Sequence, residues 1–269
     1  MTILPLSPLD LALASALVLA TGALAWRMQL DVTARLLVAA LRSAVQLLLV
    51  GLVLRALFAN ADAGWVALVA LVMLLAAGRE VMARQRRRFT GWWGYGLGFV
   101  SMFLSTFAVS IFALAGLIGT EPWYAPRYSI PLLGMLLGNT MTGVALAIER
   151  LGEEVSAQRN AIEDRLTLGE DRGQATRELR RGSMRAGLIP IVNAMAAAGI
   201  VSLPGMMTGQ ILAGASPTDA VTYQILILFL IAGSTGLGTL VAVWLGTRRL
   251  FDERQRLRLE RLSAPPSAG

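Results

Sequence analysis

Residues 186–214 read AGLIPIVNAMAAAGIVSLPGMMTGQILAG and decide the fold, because they carry no charge and are long enough to cross a bilayer as a helix. The stretch also contains Pro190, Pro204 and five glycines, which would weaken a helix in water. In lipid they are tolerated where neighbouring helices satisfy the freed backbone groups. We therefore predict a helix that faces protein and is kinked at Pro190 and at Pro204–Gly205. Gly205 and Gly209 have the spacing of a close helix contact. The alternative is a lipid-facing span whose small residues only pack.

The composition of the chain is typical of an integral membrane protein. The 269 residues are 55% hydrophobic and 15% charged, with a mean hydropathy of +0.62, whereas soluble domains average about 25% charged residues. The sequence has no Cys and no His, which excludes disulfides, zinc-finger spacings and catalysis by these side chains. It also has no Lys, so it lacks the Walker A lysine and cannot bind ATP by that route.

Seven apolar runs predict an all-α polytopic membrane protein with about seven transmembrane helices. The runs cover residues 9–26, 36–58, 63–78, 92–118, 128–148, 188–213 and 221–246. Nearly all of the arginines lie in loops on one side, namely 27–35, 79–91, 149–187 and the tail from 247. The positive-inside rule makes that side cytoplasmic, which predicts an N-terminus outside and a C-terminus in the cytoplasm. The net charge of +7 then reflects topology and contact with membrane lipid rather than nucleic-acid binding. A signal peptide is the alternative for the first run, but no positive charge precedes it.

We expect one transmembrane domain, residues 1–248, followed by a basic, partly disordered cytoplasmic tail, residues 249–269, that ends in a Pro/Ser/Ala stub. The domain includes the charged loop 149–187, where helical spacing predicts an extension of the fifth helix and a short helix leading into the sixth. A solvated charged linker is the alternative for this loop.

Polar residues inside the apolar runs are the candidates for a transport path, because an unpaired amide in hydrocarbon is costly. In the fifth run such residues follow Pro131, a further predicted kink, and the pair Gly134 and Gly138. On the second helix Arg42 shares a face with Gln46, four residues further along. The alternative for Arg42 is that it only reaches lipid phosphates. The predicted path residues are Gln46, Asn139, Thr142, Asn193, Met206, Met207 and Gln210.

Three stretches resemble the FetB-like (YbbM-like) family of ABC transporter permeases, which are iron-export permeases of bacteria. They read LRSAVQLLLVG at 41–51, IPLLGMLLGNTMTGVALAIERL at 130–151 and VSLPGMMTGQILAGASPTDAVTYQI at 201–225. The resemblance implies a permease subunit of the cell inner membrane that exports iron or a related metal ion and is not itself an enzyme. It also implies a homodimer of the permease and a separate FetA-like subunit that binds ATP and Mg, so that this chain binds no cofactor.

The resemblance further implies a cytoplasmic segment that docks on the ATP-binding subunit, and residues 169–187 occupy that position. Within it Gln174 and Ala175 are nearest to the corresponding motif of importers, and Leu179 and Met184 are the predicted apolar anchors. The sequence identifies no metal ligands, and only oxygen, Met sulfur or backbone carbonyls could supply them. Two other classes stay open: an ATP-independent secondary transporter or channel, which would usually carry an intramembrane acid, and a non-transporting membrane scaffold.

Overall fold

A computed structural model describes residues 7–59 and 62–263, and within these ranges it is helical and has no β-strand. The predicted all-α fold is therefore confirmed. The helices are α1 (Pro8–Arg27), α2 (Thr33–Ala59), α3 (Ala63–Ala83), α4 (Trp93–Met102), α5 (Ala108–Ile111), α6 (Pro126–Ala157), α7 (Arg159–Thr167), α8 (Arg172–Ala175), α9 (Arg177–Ala197), α10 (Gly205–Leu212) and α11 (Pro217–Leu250).

Within the residues that the structure describes, six helical runs are long and apolar enough to cross a membrane, and they correspond to the first five predicted runs and the last one. The fourth of them, Trp93–Ile118, consists of α4 and α5 with π-helical turns at Phe103–Phe107 and Phe112–Ile118. The chain is thus a polytopic membrane protein, as predicted. The count of seven crossings and the orientation of the termini stay predictions.

The sixth predicted run is not one kinked helix, and that prediction is wrong. Pro190 lies inside α9, but the helix ends at Ala197 and α10 begins only at Gly205. Gly199 has a φ of +81°, in the left-handed region that glycine tolerates, and Pro204 caps α10 in an extended conformation. Because proline also disfavours helical geometry in the residue before it, the helix is interrupted rather than bent.

The core of the bundle is the contact among α6, α9 and α11, which is made close by glycines. A Cβ atom on Gly187 of α9 would lie 2.6 Å from the carbonyl oxygen of Gly143 and 2.6 Å from Cγ2 of Thr239. A Cβ atom on Gly143 would lie 2.5 Å from Cγ2 of Thr235. Since real Cβ atoms do not approach other atoms this closely, the three helices meet in this arrangement only with glycine at these positions.

The α1–α2 hairpin lies at the edge of this bundle. α1 packs on α2, and in the part of the chain that the structure describes Leu57 is the only buried residue of α2. One ion pair joins the hairpin to the bundle: Nη2 of Arg42 donates to Oε1 of Glu80 at 2.6 Å. Glu80 belongs to α3, which continues five residues beyond the predicted end at residue 78. Arg42 therefore has a protein partner rather than lipid phosphate alone.

The charged loop 149–187 is folded, so the solvated-linker interpretation is wrong. α6 continues to Ala157, as predicted, and α7, α8 and the start of α9 follow. Their apolar side chains join one buried cluster with residues from distant parts of the chain. The members of that cluster from the loop and from the tail are Leu151, Val155, Ile162, Ala175, Leu179, Leu250, Phe251 and Leu262.

The tail folds back onto the bundle as far as Ser263. Its backbone pairs with the loop after α3, since Thr90 N donates to Arg261 O and Ser263 N to Arg88 O, both at 2.8 Å. The carboxylate of Asp252 accepts hydrogen bonds from the backbone N–H and guanidinium of Arg256, and these hold the pKa of Asp252 well below its usual range. The predicted Pro/Ser/Ala stub lies outside the described residues.

Candidate translocation path and coupling surface

One side of α6 carries the polar residues that the sequence predicts for a path, and around Gly138 and Asn139 this side is open. Asn139 is exposed, and its Nδ2 donates to the carbonyl oxygen of Met135, one turn earlier, at 2.8 Å. A Cβ atom on Gly138 would meet nothing within 4 Å, and one on Gly134 would meet only Cε of Met73, at 3.4 Å. The Gly134/Gly138 pair therefore makes no close helix contact within the chain, and such contacts use other glycines.

Thr142 links this side of α6 to the end of α3. Its hydroxyl donates to the Gly138 carbonyl oxygen at 3.2 Å and accepts from Nη1 of Arg84 at 3.3 Å. Arg84 thus places a positive charge beside the predicted path. Sequence reasoning missed this residue, because its contact with α6 joins residues that are 58 positions apart.

The interruption between α9 and α10 is the second feature of the candidate path. Its apolar residues Ile200 and Val201 are 88% and 84% exposed. A Cβ atom added to Gly205 or Gly209 of α10 would meet nothing within 4 Å, so this predicted contact pair is also open. Asn193, on the preceding helix, is exposed as well.

α10 nevertheless packs on α11, which fixes its position. Met206 contacts a buried cluster that includes Ile227 and Ile231 of α11. Ile227 is ten residues into α11, or about 15 Å along its axis. The interruption therefore lies well below the end of α11 and at the depth of apolar side chains.

Two glutamines carry unsatisfied polar atoms near this region. The Oε1 atoms of Gln210 in α10 and of Gln224 in α11 are buried and have no hydrogen-bond partner in the described part of the chain. Gln210 is a predicted path residue, whereas Gln224, which is only 7% exposed, is not. Such orphaned acceptors are unusual in folded proteins and mark candidate positions for a bound water, ion or substrate.

The remaining predicted path residues are not gathered into one site. Gln46 is exposed on α2, at the edge of the bundle, and Met207 is half-buried. Pro131 lies inside the continuous helix α6. Within residues 7–59 and 62–263 no group of three or more Asp, Glu, His or Cys side chains could hold a metal ion.

Two of the four residues predicted to contact an ATP-binding subunit are buried within the chain. Ala175 and Leu179 are buried inside the chain at 2% and 4% exposure, so neither side chain can contact a partner in this conformation. Gln174 is exposed and completes the capping box of α8 with Asp171, and Met184 is half-buried. The exposed apolar residue is Leu168, which is 85% exposed in the turn between α7 and α8.

Residues 8–251 match the model of UPF0014, which is described as an uncharacterised protein family. The chain belongs to the UPF0014 family. The match covers all six membrane-length helices of the described residues. It leaves out residues 1–7 and the tail from residue 252. No solved structure matches the chain.

Three relatives of this UPF0014 chain are similar to it over most of their length. It is 41% identical to a UPF0014 membrane protein of Synechocystis, over 85% of this chain and 87% of the relative. It is 35% identical to the probable iron export permease protein FetB of Escherichia coli, over 80% of this chain and 81% of FetB. It is 30% identical to the protein ALUMINUM SENSITIVE 3 of Arabidopsis thaliana, over 91% of this chain and 88% of that protein. The predicted resemblance to the FetB-like permeases is confirmed.

Proposed function

We propose that this UPF0014 protein is the membrane-spanning permease subunit of an ABC transporter of the inner (plasma) membrane. It exports iron or a related metal ion, and a separate FetA-like subunit hydrolyses ATP. The similarity to FetB supports the substrate class. The observation that carries the proposal within the structure is the interruption between α9 and α10.

The interruption favours transport because of what lipid does to an irregular backbone. Non-helical segments at membrane depth are tolerated only where protein buries them or where they line a water-filled cavity. Here Ala198–Pro204 is followed by α10, whose Met206 packs against a buried apolar cluster that includes Ile227 of α11, yet Ile200 and Val201 are almost fully exposed. Broken helices of this kind form the substrate sites of many transporters. A scaffold would have no use for one.

The same exposed surfaces support a homodimer. Two glycine pairs have the spacing of a close helix contact, Gly134/Gly138 and Gly205/Gly209. Of Cβ atoms added at these four positions, only the one on Gly134 would meet another atom within 4 Å, namely Cε of Met73 at 3.4 Å. A second copy packed along these pairs would cover the interruption. The path would then run between the two copies, past Asn139 and Asn193.

The energy source is assigned to another chain because this one has no lysine for a phosphate-binding loop. The folded cytoplasmic segment from α7 to the start of α9 leads directly into the helix that breaks. A push on this segment would therefore reach the path through α9. Ala175 and Leu179 act as positioning residues in this arrangement, since they anchor the segment to the core.

The proposal is tested by co-purification. The tagged chain, solubilised from its own membrane, is expected to retain an ATP-binding subunit, and ATPase activity is expected only in that complex. ATPase activity of the pure chain, or a preparation that transports metal with no second subunit, would overturn the assignment.

Asn139→Leu and Gln210→Leu are each expected to impair metal export by about tenfold while leaving membrane insertion intact, because each removes a polar group from the proposed path. Export from cells loaded with iron is the measurement. Asn160→Leu makes the same exchange at an exposed position of α7 and serves as the control. Wild-type export by both path variants would assign Asn139 and Gln210 to packing.

Gly138→Leu is expected to yield a folded monomer, because a Cβ atom at this open position meets nothing within 4 Å in its own chain, whereas the larger side chain would collide with a second copy. Crosslinking in the membrane and the mass of the detergent complex report the change. Gly51→Leu, at an equally open position of α2, is the control. If only the Gly51 variant loses its dimer, the interface involves α2 and not α6.

A further inference from the structure

A cavity of about 390 Å³ lies where the cytoplasmic segment, the end of α11 and the tail meet. Three arginines line it, each from a different helix: Arg172 of α8, Arg180 of α9 and Arg248 of α11. Trp244 and Thr247 complete the wall on the α11 side. We call this space the arginine cavity.

The arginines of this cavity are not neutralised by the chain. None of the three takes part in a salt bridge among residues 7–59 and 62–263. Their neighbour Arg181, by contrast, pairs with Glu178 at 3.0 Å outside the cavity. Concentrated positive charge with no internal partner is the arrangement that recognises an anion.

Two acidic residues also line the cavity, and they do not cancel this charge. The Oδ1 atom of Asp171 accepts from the backbone N–H of Gln174 at 2.8 Å, which holds this carboxylate at the start of α8. Glu253 is exposed in the tail. Three guanidinium groups and two carboxylates leave the lining with a net charge of +1, and in the described part of the chain neither carboxylate forms a salt bridge with the three arginines.

Hydrogen-bonding groups without partners point to the same conclusion. Nε of Arg180 and Oγ1 of Thr247 are buried atoms that have no partner in the described part of the chain. Thr247 is only 4% exposed, so its hydroxyl cannot readily be satisfied by bulk water. Buried donors left unpaired are unfavourable, and a ligand with several acceptor oxygens would satisfy them.

The position of the cavity indicates where the anion comes from. The guanidinium of Arg248 lies over the ring of Trp244, 4.2 Å from its centroid, and Trp244 is exposed near the arginine-rich end of α11. Trp and Arg at the end of a membrane helix mark the level of the lipid head groups. Basic pockets at this level on the cytoplasmic side are suited to anionic head groups.

We propose that the arginine cavity binds a phosphate group, supplied by an anionic lipid head group or by free phosphate. Two or three guanidinium groups would share its oxygens, and the hydroxyl of Thr247 would donate to one of them. Because the cavity walls come from α8, α9, α11 and the tail, the bound phosphate would hold the cytoplasmic segment against the membrane helix α11. This role is separate from metal transport and does not require the ATP-binding subunit.

The test uses the purified full chain in detergent and follows its tryptophan fluorescence. The part of the signal that is absent from the Trp244→Phe variant reports occupancy of the cavity. One arm titrates sodium phosphate and the other titrates phosphatidylglycerol in mixed micelles, with oleate as an anionic lipid that has no phosphate. We expect saturable binding in one of the phosphate arms and not with oleate. Saturation in the lipid arm alone assigns the head group, and saturation with sodium phosphate assigns the free ion.

Arg180→Gln and Arg248→Gln are each expected to weaken that binding about tenfold or more, since each removes a charge-assisted hydrogen bond. Arg248 is exposed, so its replacement is compatible with folding even if the change at Arg180 is not. Arg181→Gln removes the same charge one residue away and should bind as the wild type does.

The proposal is overturned if neither phosphate source saturates, if oleate binds equally well, or if both cavity variants bind normally. Loss of the ATP-binding subunit without any phosphate binding would instead identify the cavity as a protein contact.

Discussion

Replacing Leu168 with Asp is expected to weaken the association with the proposed ATP-binding subunit about thirtyfold or more, because apolar anchors at the centre of an interface contribute about 2 kcal/mol or more. Leu168 is 85% exposed in the turn between α7 and α8, where an apolar side chain has no stabilising role within its own chain. Beneath it, Ile162, Ala175 and Leu179 are buried and hold the turn in place. An exposed apolar residue on a rigid support is the arrangement expected of a docking point.

The measurement is the dissociation constant of the ATP-binding subunit from the purified permease, together with metal export in cells. Thr167→Asp places the same charge one residue earlier, also at an exposed position, and controls for charge alone. We expect Leu168→Asp to abolish export while the protein still inserts and folds. Equal affinity of the Leu168 and Thr167 variants would show that the subunit docks elsewhere.

Gly187→Ala is expected to destabilise the fold severely, since overpacking of a tight contact costs about 1–3 kcal/mol and more where the backbone must move. The new methyl group would lie 2.6 Å from the Gly143 carbonyl oxygen and 2.6 Å from Cγ2 of Thr239, neither of which can move without separating the helices. Thermal unfolding in detergent and the yield of folded protein are the measurements.

Gly51→Ala is the matched control for this change. It makes the same substitution in α2, where nothing lies within 4 Å of the added atom, and alanine is the better helix former by about 1 kcal/mol. We expect this variant to be as stable as the wild type or slightly more stable. If the Gly187 variant unfolds at the same temperature as the Gly51 variant, the close contact of α6, α9 and α11 is not as described.

The membrane fold could be predicted from the sequence because hydropathy and arginine placement report the environment of each run directly. The close contact of α6 with α9 could not. Spacing along one helix picks out Gly134/Gly138 and Gly205/Gly209, but the glycines at the contact of α6 with α9 are Gly143 and Gly187, which lie on different helices. A pattern within one helix does not reveal which face meets a neighbour.

The coupling residues show the same limit. In the sequence Leu179 has the pattern of an exposed anchor in a charged stretch, but it is buried in one cluster with Leu250, Phe251 and Leu262, which come much later in the chain. The interruption after α9 escapes prediction for a different reason. A proline and neighbouring glycines are compatible with either a kink or a break, and the left-handed Gly199 decides between them.

Metal movement in sealed vesicles tests the central proposal most directly. The permease and its ATP-binding subunit are reconstituted together, with that subunit facing outward, and Fe(II) inside the vesicles is followed after ATP is added outside. The proposed function predicts uptake of iron that requires ATP and both proteins and that is lost with Leu168→Asp. Iron movement of equal rate through the permease alone without ATP, or no iron movement by the complete complex, would contradict it.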